Sequence, residues 1–357
     1  MKSLGYTDDV AEHARPFLEQ GFSIARVIEE NRESYAVKTA THEMPAEISG
    51  KLRFTAESRE NFPAVGDWVA VNTFDGETQA IIHAVLPRTT LIARKSAGQR
   101  TELQPIAANV DIIFIVQGLD HNFNPRRLER YLVVAHESGA TPVVLLSKAD
   151  LLSPQDLQTC KEEAAAVSAG AQVIAYSAET EEGVAQIKQL IGNGVTVCLI
   201  GSSGVGKSTL INTLAGETLL ETGGVREADS RGRHTTARRQ IVFLPGGGIL
   251  IDTPGMRELG LWHAESSLDL TFPEIAELAE GCKFSDCTHT HEPECAVRAA
   301  VENGTLDSNR YASFAKLRKE AEWMNERTTV AGMLERKRKG KILGRAIKQV
   351  MKMKQKR

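Results

Sequence analysis

The segment that most constrains the fold of this chain is glycine-rich and spans residues 201–209, Gly-Ser-Ser-Gly-Val-Gly-Lys-Ser-Thr. It matches the phosphate-binding loop pattern, in which a glycine-rich turn leads into a lysine and a hydroxyl residue. The apolar residues 195–200 predict a buried strand before it, and residues 209–215 predict a helix after it. Because backbone N–H groups in such a loop converge on phosphate oxygens, the segment predicts a nucleotide site in an α/β domain.

The loop residues have distinct expected roles. Lys207 is expected to reach the β- and γ-phosphates, and Ser208 to ligate Mg²⁺. A chance match in an ordinary strand–helix turn is the alternative, and the flanking strand and helix argue against it. The predicted nucleotide-binding residues here are Gly201, Ser202, Ser203, Gly204, Val205, Gly206, Lys207, Ser208 and Thr209.

Residues 110–200 alternate between apolar strands and amphipathic helices, which predicts a doubly wound α/β domain with ligands at the carboxyl ends of the strands. A carboxylate at Asp150, after one such strand, can accept hydrogen bonds from N1–H and the exocyclic amine of guanine, which adenine does not reproduce. Such a site discriminates by about 10⁴-fold. The pattern favours GTP and GDP over ATP, with predicted contacts from Ser147, Lys148, Asp150, Ser177 and Ala178.

Further residues indicate a Mg²⁺ site and a hydrolytic reaction. Asp252 ends another apolar strand, where it can hold Mg²⁺ through water, and the N–H of Gly255 can contact the γ-phosphate. Thr235 or Thr236, in a long polar loop, can complete the Mg²⁺ shell when that loop closes. The order is unusual, because the base-reading residues 147–150 and 177–178 precede the phosphate loop. The domain therefore has the character of a circularly permuted GTPase.

The N-terminal region, from residue 21 to about residue 95, consists of short strand-like segments separated by turn residues. Such a pattern favours a small closed barrel of the five-stranded oligonucleotide-binding type. The polar segment 99–109 is expected to be a linker. The predicted strands are 22–28, 35–39, 46–54, 67–72, 79–86 and 91–95.

Basic residues in the barrel region suit an RNA surface, although such residues often only solubilise a barrel. They are Arg26, Lys38, Lys51, Arg53, Arg88, Arg94 and Lys95. Residues 336–357 hold eleven Lys or Arg and no acid, whereas the whole chain has a net charge of −3. This basic tail fits an anionic partner such as RNA, or equally a solvated helix end or disordered tail.

A cysteine and histidine cluster follows the α/β region. Cys282, Cys287, His289 and Cys295 offer three sulfurs and one nitrogen, which suits one closed, structural, tetrahedral Zn²⁺. His291 competes with His289 as the fourth ligand. Two other features bear on location: no apolar run approaches the ~20 residues that span a bilayer, and the N-terminus lacks a signal-peptide core. We therefore expect a cytoplasmic protein without membrane contact.

Together these motifs resemble the ribosome small subunit-dependent GTPase A family, also called the YjeQ/YloQ type, over nearly the whole chain. The resemblance implies three parts: an N-terminal oligonucleotide-binding barrel (residues 1–100), a circularly permuted α/β P-loop GTPase (101–265), and a helical zinc-binding region with a basic tail (266–357). It favours His289 over His291 as the metal ligand. Ser147 departs from the asparagine that most GTPases have there.

The resemblance also implies a function. GTP would be hydrolysed to GDP and phosphate, stimulated by the small ribosomal subunit, in late maturation of that subunit and with binding to its rRNA. Met256 follows Gly255 where Ras-like enzymes have a water-positioning glutamine, so another group must complete the site. The candidates are Arg231, Arg233 and His234 in the long polar loop. The resemblance favours His234, with Thr235 and Thr236 beside it, and an ordinary polar histidine of the loop is the alternative. A monomer is expected. The alternatives are a nucleotide-regulated RNA-binding scaffold with incidental hydrolysis, and an ATP-dependent enzyme.

Overall fold

The computed structural model describes residues 1–31, 34–95, 103–120, 123–220, 239–252, 261 and 264–328. The chain separates into two compact units. The first comprises residues 1–95 and 103–259, and the second comprises residues 96–102 and 260–357. The predicted boundaries at residues 100 and 265 stay a prediction. The predicted site residues His234, Thr235, Thr236 and Gly255, together with Met256 and the basic tail 336–357, lie outside the described residues.

The first unit opens with a closed five-stranded barrel. Its strands pair in the order β1-β2-β3-β5-β4 and close through a β1–β4 pairing, with β3 parallel to β5. Alternate residues such as Val27, Val37 and Ile82 point inward to a buried apolar core. The predicted barrel is thereby confirmed. Its elements are helix α1 (Asp8–Glu19), β1 (Ser23–Glu30), β2 (Tyr35–Lys38), β3 (Glu43–Ile48), helix α2 (Gly50–Thr55), β4 (Trp68–Phe74) and β5 (Gln79–Val85).

Two expectations for this region are wrong. The strand expected over residues 46–54 ends at Ile48, because Ser49 caps α2 by accepting a hydrogen bond from the Leu52 N–H. A linker was expected over residues 99–109, but residues 103–108 form a strand, β7 (Leu103–Ala108). This strand pairs with β6 (Leu91–Lys95) outside the barrel. Pro105 lies next to a register shift in this two-stranded ribbon, where the missing N–H is tolerated.

The remainder of the first unit is an α/β sheet in the order β10-β9-β8-β11-β13-β12, parallel except for β12 at its edge. Strands β9 and β10 precede the phosphate-loop strand β11 in the chain, which confirms the permuted order. The elements are β8 (Ile112–Gly118), α3 (Pro125–Ser138), β9 (Thr141–Ser147), α4 (Pro154–Val167), β10 (Gln172–Ala175), α5 (Val184–Leu190), β11 (Thr196–Ile200), α6 (Lys207–Ala215), β12 (Arg239–Phe243) and β13 (Ile249–Asp252).

The barrel and the α/β sheet form one continuous sheet. Strand β1 of the barrel pairs antiparallel with β12, with Glu29 opposite Gln240 and Glu30 opposite Arg239. An Arg239 Nη1 to Glu30 Oε2 ion pair of 2.7 Å reinforces this junction. The barrel is therefore held to the α/β sheet by backbone hydrogen bonding as well as by side chains.

A buried arginine fastens the same junction. The guanidinium of Arg26, in β1, is 1% exposed. It donates hydrogen bonds to the carbonyls of Leu4, Gly66 and Asn109, and to the Thr196 hydroxyl at the start of β11. Burial lowers the pKa of Arg26, and the charges of Asp111 and Asp67 offset part of this effect, which leaves the pKa at about 10. The group therefore stays charged near neutral pH. One side chain thus joins the N-terminal segment, the barrel and the α/β sheet.

A second arginine of the predicted RNA surface is also structural. Arg88 donates to both carboxylate oxygens of Asp67, at 2.8 and 2.7 Å, and to the Glu60 and Phe62 carbonyls. The Asp67 side chain is fully buried. The expectation that Arg26 and Arg88 belong to an RNA-facing surface is therefore wrong, because each guanidinium donates its hydrogen bonds to acceptors within the protein.

Close backbone approach at this junction requires a glycine. Gly66 has a φ of +94°, and a Cβ there would lie 2.1 Å from the carbonyl oxygen of Ala108. Its own carbonyl oxygen accepts from both Arg26 and Asn109. A side chain at this position would push the barrel turn away from β7.

The second unit is helical in its described residues. Its helices are α7 (Glu265–Thr271), α8 (Pro273–Ala279), α9 (Ala296–Glu302) and α10 (Ser308–Thr328). Arg310 on α10 lies over the Phe272 ring, 4.2 Å from its centroid, and donates to Glu274 and to the Thr271 carbonyl. None of the helices among the described residues has the length and apolar character needed to cross a membrane.

We expect Arg26→Met to lower the free energy of unfolding by about 3–5 kcal/mol, because the substitution leaves several buried acceptors without a donor. Chemical denaturation followed by circular dichroism would measure this. Arg15→Met, at an exposed position of α1, is the matched control and should stay within about 0.5 kcal/mol of the wild type. Equal stability of the two variants would contradict the role assigned to Arg26.

Candidate nucleotide site and metal centre

The phosphate loop leaves β11 through a backbone conformation that glycine supplies. Gly201 has a φ of +148°, and a Cβ there would lie 2.4 Å from the carbonyl oxygen of Val116 in the neighbouring strand. The loop ends at Gly206, which caps α6 with a φ of +93°. Its N–H groups and the α6 N-terminus are therefore available to phosphate oxygens.

Lys207 folds back over the loop. Its Nζ donates to the carbonyl oxygens of Gly201, at 2.8 Å, and Ser202, at 2.6 Å. These bonds hold the ammonium group beside the loop backbone, where a polyphosphate would lie. A phosphate ligand therefore meets a preformed cation rather than one that must be ordered on binding.

Ser147, at the end of β9, forms a hydrogen bond to this loop. Its hydroxyl lies 2.6 Å from the Val205 carbonyl oxygen and 3.2 Å from the Gln117 carbonyl oxygen, and the side chain is buried. A hydroxyl has one proton, so the shorter contact is the better donor bond. Serine thus connects β9 to the phosphate loop without the longer asparagine side chain.

The other residues predicted to contact the base lie at the same end of the sheet. Lys148 adopts a left-handed conformation with φ +63°, and the Ala149 N–H donates to the Tyr176 carbonyl at the end of β10. Asp150 is exposed in a short 3₁₀ turn. Ser177 is buried, and its hydroxyl accepts from the Glu179 and Thr180 N–H groups, with Ala178 half-buried beside it.

Asp120 is a neighbouring residue that the sequence reasoning missed. Its Oδ2 lies 2.6 Å from Nζ of Lys148, with both side chains partly buried. Asp120 follows β8, so the pair spans two adjacent strand ends. The only available signal was its position after a predicted strand, because nothing local in the sequence links it to Lys148.

The end of β13 places a further predicted site residue, Asp252. Asp252 is half-buried at the last position of that strand, opposite Gln240 of β12. Since β8, β9, β10, β11 and β13 run parallel, Asp252 lies at the same sheet edge as the phosphate loop and Ser147. The strand ends therefore converge on one edge, the usual ligand position in such sheets.

The second unit brings the four predicted metal ligands together. The ligand atoms of Cys282, Cys287, His289 and Cys295 lie within 4.8 Å of one another. The Cys282 and Cys295 sulfurs are 3.9 Å apart, and His289 Nδ1 is 3.6 and 3.4 Å from them. Zn–S bonds of about 2.3 Å imply S···S separations of about 3.8 Å in a tetrahedral site. The cluster therefore has the dimensions of a metal centre.

Surrounding groups orient the histidine ligand. His289 has a φ of +62°, and its carbonyl accepts a 2.6 Å hydrogen bond from the Tyr311 hydroxyl of α10. Burial lowers the pKa of His289, and the charge of Arg318 lowers it further, which favours the neutral imidazole that ligates metals. His291 lies outside this cluster, and its N–H donates to Glu292.

Comparisons with known proteins agree with this arrangement. A model described as RsgA GTPase matches residues 85–262. A relative from Lactiplantibacillus plantarum, named small ribosomal subunit biogenesis GTPase RsgA 2, is 46% identical over 333 residues, which cover 93% of this chain and 93% of the relative.

Solved structures share the architecture. YjeQ from Thermotoga maritima aligns with a TM-score of 0.62 and 25% identity, covering 84% of this chain and 98% of that one. YloQ, described as a circularly permuted GTPase, aligns with a TM-score of 0.61 and 23% identity over 84% of this chain and 95% of that one, a likeness of fold. Because the similarity to the Lactiplantibacillus relative extends over nearly the full length of both chains, the chain belongs to the RsgA GTPase family.

Proposed function

We propose that this protein hydrolyses GTP to GDP and phosphate, that the small ribosomal subunit stimulates this reaction, and that it acts in late maturation of that subunit. Family membership makes the chain a GTP hydrolase. The observation that carries the guanine assignment is the place of Asp150, exposed in the turn after β9, where the Ser147 to Val205 hydrogen bond joins this strand end to the phosphate loop. A nucleotide-regulated scaffold with incidental hydrolysis is not favoured, because the curated relatives are named GTPases.

The nucleotide contacts are assigned by residue. The phosphate loop, residues 201–209, would hold the phosphates, with Lys207 at the β- and γ-phosphates. Mg²⁺ would be held by Ser208 and by Asp252 through water, with Thr235 or Thr236 completing its shell. Asp150 would read guanine, beside Ser147, Lys148, Ser177 and Ala178. Gly255 would contact the γ-phosphate, and His234 would orient the attacking water.

The metal centre would hold one structural Zn²⁺. Three thiolates and one imidazole leave no open coordination position, so the ion would stabilise the helical unit rather than take part in hydrolysis. The match between the sulfur separations and a tetrahedral site supports this proposal.

The partner would be the small ribosomal subunit and its rRNA, contacted through the barrel and the basic tail. The names of the relatives, small ribosomal subunit biogenesis GTPases, support the subunit as partner. A cytoplasmic monomer without membrane contact fits a factor that binds and leaves a ribosomal subunit, and each of these remains a prediction.

Adding purified small ribosomal subunits should raise GTP turnover by about 10²-fold or more, because partners that complete a GTPase site have effects of at least this order. Phosphate release with and without subunits measures the effect. Asp150→Asn should lose the preference for GTP over ATP, because its side chain no longer accepts two hydrogen bonds from guanine. Turnover that subunits leave unchanged would contradict the proposal.

Ser147→Ala should weaken GDP binding by about 5- to 150-fold, the equivalent of ~1–3 kcal/mol for a buried carbonyl left unpaired at Val205. Fluorescent GDP titration measures the dissociation constant. Ser147→Asn should retain most of the affinity, because asparagine also carries a donor. Thr159→Ala, at an exposed position of α4, is the matched control. Unchanged affinity in Ser147→Ala would refute the coupling.

Purified wild-type protein should contain one zinc per chain by elemental analysis, and Cys295→Ser should contain far less. Loss of the ion should also lower the melting temperature, since metal binding contributes directly to folding of small helical regions. Cys160→Ser removes a half-buried free cysteine on α4 and should keep the wild-type zinc content. Full zinc occupancy in Cys295→Ser would exclude this ligand set.

A further inference from the structure

The barrel carries one aromatic side chain that its fold does not use. Phe54, in α2, is 91% exposed and is the most exposed large apolar residue among those the structure describes. Helix α2 is anchored by other residues: Leu52 packs on the barrel core, and the Ser49 N–H donates to the Ile82 carbonyl. Phe54 therefore contributes little to burial, and leaving it in water forgoes about 1.5–3 kcal/mol of possible stabilisation.

Two basic residues lie near Phe54 in the same helix. Lys51 is one helical turn before Phe54 on the same helix face, and Arg53 is its direct neighbour; both are exposed. Within the described part of the chain neither forms an ion pair. Other basic residues near the barrel are paired, as Lys38 is with Glu43 and Arg239 with Glu30. Lys51, Arg53 and Phe54, here called the α2 patch, thus combine an exposed ring with two exposed basic residues that form no ion pair in the described part of the chain.

We propose that the α2 patch binds single-stranded RNA, with a base stacked on Phe54 and phosphates neutralised by Lys51 and Arg53. Aromatic platforms flanked by cations are the usual means of holding single strands without sequence specificity. The proposal rests on the RNA-binding function proposed above and adds a location to it. Barrels of this type bind oligonucleotides on their second and third strands and adjacent loops, whereas α2 lies in the connection between β3 and β4.

The charges favour RNA over a protein pocket. Inserting Phe54 into an apolar protein pocket would desolvate Lys51 and Arg53, which costs free energy unless acidic partners meet them. An RNA strand offers a stacking surface and phosphates at every nucleotide, so ring and cations are satisfied together. A flat base also fits a ring that projects from a helix, because stacking needs only one free face.

The test uses the full-length protein, a fluorescein-labelled 12-nucleotide oligouridylate and purified small ribosomal subunits. Phe54→Ala should weaken oligonucleotide binding by about 5- to 100-fold, the usual effect of removing one stacking ring, and Phe54→Trp should retain it. Phe74→Ala is the matched control, because Phe74 is 45% exposed on the barrel but is followed by the acidic residues Asp75 and Glu77. It should bind like the wild type.

The cations are tested separately through salt dependence. The double variant Lys51→Gln with Arg53→Gln should lower the slope of log affinity against log salt by about 1.4, since each single-strand phosphate contact contributes about 0.7. An unchanged slope would show that neither side chain contacts phosphate, and would overturn that part of the site.

A photoreactive phenylalanine analogue at position 54 identifies the partner on the subunit. Crosslinking to rRNA is expected, and crosslinking only to ribosomal protein would overturn the RNA assignment. Wild-type affinity in Phe54→Ala would refute the patch while leaving subunit-stimulated hydrolysis intact. If the wild type bound no small subunits, the proposed function would fail, and the oligonucleotide series would still decide whether the α2 patch binds RNA.

Discussion

The buried guanidinium of Arg26 is the interaction on which the first unit depends. Its acceptors are distant in the chain, with sequence separations of 22, 40, 83 and 170 residues. Because the carbonyls of Leu4, Gly66 and Asn109 meet at one charge, displacing any of these segments exposes unpaired polar groups in a dry interior. The barrel and the α/β sheet are consequently stabilised as one body, although each has its own apolar core.

Strand pairing also connects the barrel to the strand that carries Asp252. Strand β12 pairs with β1 of the barrel on one side and with β13 on the other, and β13 ends at Asp252. Asp252 therefore belongs to the same hydrogen-bonded ladder that holds the barrel. Packed ladders of this kind respond by shifting between discrete arrangements rather than by deforming smoothly.

Local patterns made much of this structure predictable. The phosphate loop, the alternation of strands and helices and the cysteine spacing are short-range signals, so the permuted α/β fold, the barrel and the metal-ligand cluster followed from them. The structural roles of Arg26 and Arg88 could not be predicted in this way, because a basic residue has the same local sequence pattern whether it faces RNA or buried carbonyls. The strand β7 was also missed, since its partner β6 and the register shift beside Pro105 set its conformation.

Ser147, which stands where most GTPases have asparagine, shows why the geometry of the site cannot be predicted from the motif without the fold. A serine is too short to reach the phosphate loop unless the loop backbone lies close, and it does: a Cβ at Gly206 would be 3.9 Å from the Ser147 hydroxyl. The Ser147 hydroxyl thus reaches the Val205 carbonyl, which lies 58 residues away in the chain. Chain order is irrelevant to such a contact, and permutation preserves the site because only the strand ends must meet.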